Sequence, residues 1–222
     1  MFSRVTLCTI AGALLLSGCQ GDPSTTAPPA SPDTSSSAAS VDPTESPAAA
    51  GQGQVLRSRG FSVTVPAGWN QVDLTTDTSE VVQVSWGVKD NPLGELVMDL
   101  QKELKAKGAV WALDPASASG SFAVHLSAAC DSGGLTGSDL ESLRRKAQAK
   151  TGAQVEDTAV GGKPALKITS SGTRSHDQVT YKQVDVRVPV SDDEFCYVSL
   201  EGPPESLTPA VVDPIAASFT LE

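Results

Sequence analysis

The chain has 222 residues and a formal net charge of −10, with 16 Lys and Arg against 26 Asp and Glu, two His and four Cys. That balance excludes a nucleic-acid binder, which needs a clustered basic footprint, and it excludes electrostatic adhesion to an anionic membrane. Length allows one domain of ordinary size beside less structured sequence.

Arg4 precedes an apolar run from Val5 to Leu16, and Leu16-Ser17-Gly18-Cys19 closes it. A basic start, an apolar stretch of about a dozen residues and small residues at the end describe a secretory signal peptide. The run is well short of the roughly 20 residues needed to span a bilayer. A cysteine directly after Leu-Ser-Gly resembles the bacterial lipobox. That resemblance implies diacylglycerol transfer to the Cys19 sulfur and cleavage after Gly18, so residues 1–18 are read as a lipoprotein signal peptide. The acceptor has to be a thiolate nucleophile. Cleavage removes one charge, Arg4, and leaves 15 basic against 26 acidic residues, or −11. Several acyl chains on one residue hold firmly, at about 0.8 kcal/mol per buried methylene. The expected location is the extracytoplasmic face of the cell membrane, with the chain anchored by lipid.

Residues 19–54 are rich in Ser, Thr, Ala, Pro and Gly, with Val41 the exception among large apolar residues. Such a segment buries too little surface to offset ordering entropy, so a disordered linker is expected. From Val55 the composition changes, and residues 55–222 read as a single domain.

Phe61, Val63 and Val65 share one face of a strand, and Pro66-Ala67-Gly68 turns the chain ahead of Trp69. Val82, Val84, Trp86 and Val88 repeat the alternation and predict a second strand. A helix is expected from Pro92, with Leu93, Leu96, Val97, Leu100 and Leu104 as its inward stripe and Gly108 as its stop. A short strand is expected at Val110 and Trp111. Another holds Phe122, Val124 and Leu126 on one parity and Ser121, His125 and Ser127 on the other, with His125 read as solvated. Ser138-Asp139-Leu140-Glu141 fits a capping box, with Ser138 as the cap, for a helix ended by Gly152. Gly161-Gly162 separates two strands, the second carrying Leu166 and Ile168. Between Val179 and Val190 the apolar parity shifts, and a β-bulge near Lys182-Gln183 would reconcile it. Cys196, Val198 and Leu200 form a further strand. Leu207, Val211, Ile215 and Phe219 mark a final helix that Pro214 should bend or divide. The sum is α+β: a mostly antiparallel sheet of about six strands with packed helices.

Gly60-Phe61-Ser62-Val63-Thr64-Val65-Pro66-Ala67-Gly68-Trp69 resembles the opening hairpin of the Mog/PsbP-like fold. Within that group it is most similar to the LpqN-like lipoproteins of actinobacteria. Val160-Gly161-Gly162-Lys163-Pro164-Ala165 is similar to their central turn, and Ile215-Ala216-Ala217-Ser218-Phe219 to their closing helix. The resemblance implies a domain that binds envelope lipids or envelope proteins and shares no catalytic residues across the fold.

No nucleophile elbow or S-x-x-K motif accompanies His125 and His176. A metal site needs three or four clustered ligands, and two distant His with two distant Cys give no such spacing. Ser191-Asp192-Asp193-Glu194 lacks the ligand spacing of a calcium loop and reads as an acidic hairpin tip. Arg144, Arg145, Lys146 and Lys150 suit the end of a helix. Cys130 and Cys196 are expected to form a disulfide in an oxidising compartment. Trp69, Trp86 and Trp111 are candidates to line a lipid or glycan groove. No cofactor and no catalysis is expected. The expected function is a monomeric, membrane-anchored envelope lipoprotein that binds a lipid or glycolipid. A protein-docking accessory module is the alternative and a hydrolase the third.

Overall fold

A computed structural model describes residues 53–132 and 137–222, which belong to one compact unit, Ser46–Glu222. The expected signal peptide, Cys19 and most of the expected linker lie outside the described residues. The described residues form an α+β domain of ten strands and four helices.

The strands are β1 (Gln54–Ser58), β2 (Phe61–Val65), β3 (Asn70–Val72), β4 (Val110–Leu113) and β5 (His125–Ser132). Then come β6 (Gln154–Val160), β7 (Lys163–Thr173), β8 (Thr180–Pro189), β9 (Glu194–Gly202) and β10 (Thr220–Leu221). The helices are α1 (Glu80–Ser85), α2 (Gly94–Ala106), α3 (Leu140–Gln148) and α4 (Pro209–Ser218). Seven strands form one sheet in the order β3-β4-β5-β9-β8-β7-β6, and β1-β2-β10 form a second. Every strand pair is antiparallel.

The two faces of the large sheet follow residue parity, as the pleat requires. On one face Leu126, Ala128, Val184, Val186, Val188, Val198 and Leu200 meet Phe61, Val63 and Val65 of β2 and Val212, Ile215 and Phe219 around α4. Phe61 and Phe219 pack with ring centroids 5.8 Å apart. Cys130 and Cys196 are direct register partners and are joined by a disulfide. They close a separation of 66 residues, which is worth up to about 4 kcal/mol on the chain-entropy model.

The opposite face is covered at its two sides only. At one side Trp111 and Leu113 pack with Leu74, Val82 and Ala123 under α1. At the other, Leu166 and Ile168 pack with Leu143 and Ala147 of α3. Between the two lie β5, β9 and β8, whose side chains on this face are mostly polar, with Ala129 and Phe195 among the apolar exceptions.

Several expectations are corrected. Val82 to Val88 is not a strand: its first part is α1, which buries Val82 and Ser85 at the three-residue spacing of a helix. A short valine alternation fits either period, and the positive φ of Gly87 ends the helix. Helix α2 begins at Gly94 rather than Pro92, and it buries no residue. Its apolar stripe faces outward: Leu93, Leu96 and Leu100 are 62 %, 65 % and 52 % exposed. The strand read from Phe122 starts at His125, after a single bridge between Ser119 and Phe122. His125 is buried, not solvated. The cap of α3 is Asp139, whose carboxylate accepts from Ser142 N at 3.0 Å, while Ser138 is buried behind it. No bulge interrupts β8, which pairs in unbroken register with both β7 and β9. The parity shift is the change from Tyr181, on the polar face, to the valines of the core face. Pro214 lies inside α4 without dividing it.

Candidate functional site

The uncovered middle of the polar face is a cleft of about 470 Å³, within the range of small-ligand sites. Its floor is a grid set by strand register. His125, Glu201 and Gln183 stand opposite one another across β5, β9 and β8, and Ser127, Ser199 and Asp185 form the next row. Tyr197 and Arg187 follow in the third. The walls are Trp86 and Gly87 at the end of α1, Val97 of α2, Phe195, and Arg174 and His176 from the turn between β7 and β8.

Gly87 has a φ of +66°, and a Cβ there would come within 2.9 Å of Arg174 Nη1. Glycine therefore both ends α1 and leaves room for the arginine. Trp86 packs on His125 with centroids 4.4 Å apart, and its Nε1 donates to Ser127 Oγ at 3.1 Å. His125 Nδ1 lies 3.0 Å from Ala123 O. A carbonyl only accepts, so Nδ1 carries the proton and Nε2 presents a lone pair. Burial pulls the imidazole pKa down to about 4, against the smaller effect of its backbone hydrogen bond, and keeps the ring neutral at pH 7.

Both arginines are committed to acids. Arg187 Nη2 donates to Asp185 Oδ2 at 2.7 Å, and Gln183 Nε2 donates to Asp185 Oδ1 at 2.9 Å and to Ser199 Oγ at 3.0 Å. Arg174 lies 5.0 Å from the Phe122 ring centroid, donates from Nη1 to Ser85 O at 3.2 Å, and holds Nη2 3.3 Å from Asp177 Oδ2. That last contact is an ion pair without a hydrogen bond, and the Nε atoms of both arginines are buried without partners among the described residues. Asp177 Oδ2 is also 3.4 Å from His176 Nε2.

Glu201 differs from the other acids. Among the described residues its side chain makes no hydrogen bond or ion pair. Burial, with Asp185 and Asp177 adding to it and Arg174 and Lys150 opposing, pushes its carboxyl up to about 7. Burial likewise pushes the Tyr197 phenol up to about 12.

The three tryptophans are not brought together. Trp69 sits in the main core and Trp111 under α1, both buried, and Trp86 alone lines the cleft. Phe122 lies behind Arg174, and Leu96 is on the exposed face of α2. The serines, Asp185, Arg187, Gln183 and Glu201 were missed as site residues because a polar parity reads equally as a solvated face. The alternation of Gln183, Asp185 and Arg187 on β8 beside Tyr197, Ser199 and Glu201 on β9 is the one signal that could have pointed to them. His125 has no serine, threonine or carboxylate at hydrogen-bond distance among the described residues, and no group of three or more metal-ligating side chains occurs among them.

Neither a protein-family model nor a curated protein matches the chain. A solved structure from Bacteroides thetaiotaomicron VPI-5482 is similar at 13 % identity with a TM-score of 0.42 over 77 % of this chain. The aligned part spans 49 % of that structure's own length.

Proposed function

We propose that this chain is an extracytoplasmic lipoprotein, held to the membrane through Cys19, whose domain binds an envelope lipid or glycolipid without catalysing a reaction on it. The observation that carries this reading is the junction between the polar cleft and α2. Val97 borders the cleft, and the exposed Leu96 and Leu100 lie on the same helix, with the exposed Leu93 at its N-cap. A polar pocket continuous with an apolar stripe suits an amphiphile, with its headgroup on the β5-β9-β8 floor and its chain along α2. The resemblance of the Gly60–Trp69 hairpin and the closing helix to LpqN-like lipoproteins points the same way.

Native mass spectrometry of the full chain purified from its own host tests the proposal. A lipid-sized adduct is expected, lost in both Trp86→Ala and Leu96→Asp, together with a diacylglycerol-bearing terminal peptide. A bare mass in the unaltered chain would overturn the lipid-binding reading. Protein docking is the second reading, favoured by the same leucines taken without the cleft. It predicts that a photo-crosslinker at Leu96 captures one envelope protein and that Trp86→Ala leaves the capture intact.

A further inference from the structure

Along the floor row centred on Glu201, the hydrogen-bonding capacity left over is that of acceptors. Gln183 spends its amide N–H groups on Asp185 and Ser199, so its Oε1 remains an acceptor. His125 spends its N–H on Ala123 O, so its Nε2 remains an acceptor. Glu201 adds an unpaired carboxyl. These three are register neighbours, and directly opposed residues hold their Cβ atoms roughly 5 Å apart. A donor with several N–H groups placed above Glu201 therefore reaches both sides.

Charge points in the same direction. Asp185 is paired with Arg187 and Asp177 with Arg174, so each guanidinium already has its counter-ion. The ionised Glu201 carboxylate is the remainder. A charge held in a cleft needs a partner, and an incoming anion at this row would face that carboxylate.

We propose that the cleft recognises a primary ammonium group, seated on Glu201 and donating to His125 Nε2 and Gln183 Oε1. This rests on the reading of the cleft as a ligand site and names the chemistry it selects. The ammonium can come from a lipid headgroup of the ethanolamine type or from a free amino sugar. Seating a cation beside Glu201 favours its ionised form, so binding releases a proton and strengthens as pH rises through the titration of that carboxyl. The groups facing Glu201 are His125 from β5, Gln183 and Asp185 from β8, Arg174 and Asp177 from the β7–β8 turn, and Lys150 beyond α3. His125 stays neutral across that range.

The full chain is titrated calorimetrically with dihexanoyl phosphatidylethanolamine, with glucosamine, and with the N-acetylated form of each. The amines are expected to bind, and N-acetylation or Glu201→Gln to weaken them about tenfold or more, as loss of one partner of a buried charge pair does. Affinity is expected to rise several-fold between about pH 6 and about pH 8. Binding of the phospholipid alone assigns the headgroup as the source, whereas equal binding of glucosamine assigns the free amine. Gln183→Leu provides a second variant, and thermal melting verifies that each is folded. If acetylated and free amines bind alike and Ser199→Trp abolishes both, the cleft is a ligand site and the ammonium assignment is wrong. If no probe binds, or if binding survives Ser199→Trp, the reading of the cleft itself falls and the assignment with it.

Discussion

Glu201 and His125 face each other across β9 and β5, and the fold perturbs them in opposite directions. Glu201 is raised from 4.5 to about 7, so between those values the folded chain holds a proton that the unfolded chain has released. Its contribution to stability therefore falls as pH rises through that window, by at most about 3 kcal/mol. His125 is lowered from 6.5 to about 4, so the unfolded chain binds its proton first and stability falls as pH drops through that window. Across roughly pH 4.5 to 6.5 the two slopes oppose each other. Glu201→Gln should unmask the histidine: urea midpoints that are nearly flat with pH in the parent should rise steadily towards neutrality in the variant. A flat profile in the variant would show that neither group is perturbed as described.

At the scale of elements, the strands with an apolar parity were legible because burial on one face leaves a period of two in the sequence. Phe61-Val63-Val65 and Cys196-Val198-Leu200 are of this kind. What stands over the polar parity was not legible. Gln183, Asp185 and Arg187, or Tyr197, Ser199 and Glu201, have the pattern of a solvated face, and only the placing of α1 and α3 on either side turns them into a cleft. His125 was misread for the same reason, since Trp86 covers it. Helix α2 carries the opposite lesson: a regular leucine stripe predicts a buried face, yet Leu93, Leu96 and Leu100 are exposed and α2 is held through partly buried residues such as Leu104. Leu96→Ser or Leu100→Ser should shift the unfolding free energy by no more than about 0.5 kcal/mol, whereas Leu143→Ala on α3 should cost about 2–5 kcal/mol. Denaturant titration of the three variants checks this. A large loss at Leu96 would mean that its side chain is packed after all.

At the scale of the molecule, the large sheet serves two purposes with its two faces. One completes the core with β1-β2-β10 and α4. The other carries the cleft on the three central strands, which are hydrogen-bonded on both sides and tied by the Cys130–Cys196 bond. The polar grid is therefore positioned by the part of the fold least able to move without unfolding, and the register of β5, β9 and β8 spaces its rows. As a proposed ligand site, a cleft of this build belongs with preformed receptors rather than with clamps. Its association kinetics should be a single step: in stopped flow, the Trp86 fluorescence transient should be one exponential whose rate rises linearly with ligand concentration. A hyperbolic rate or a second phase would reveal an isomerisation that this arrangement of strands does not provide. Discrimination between ligands would then reside in how long each one stays.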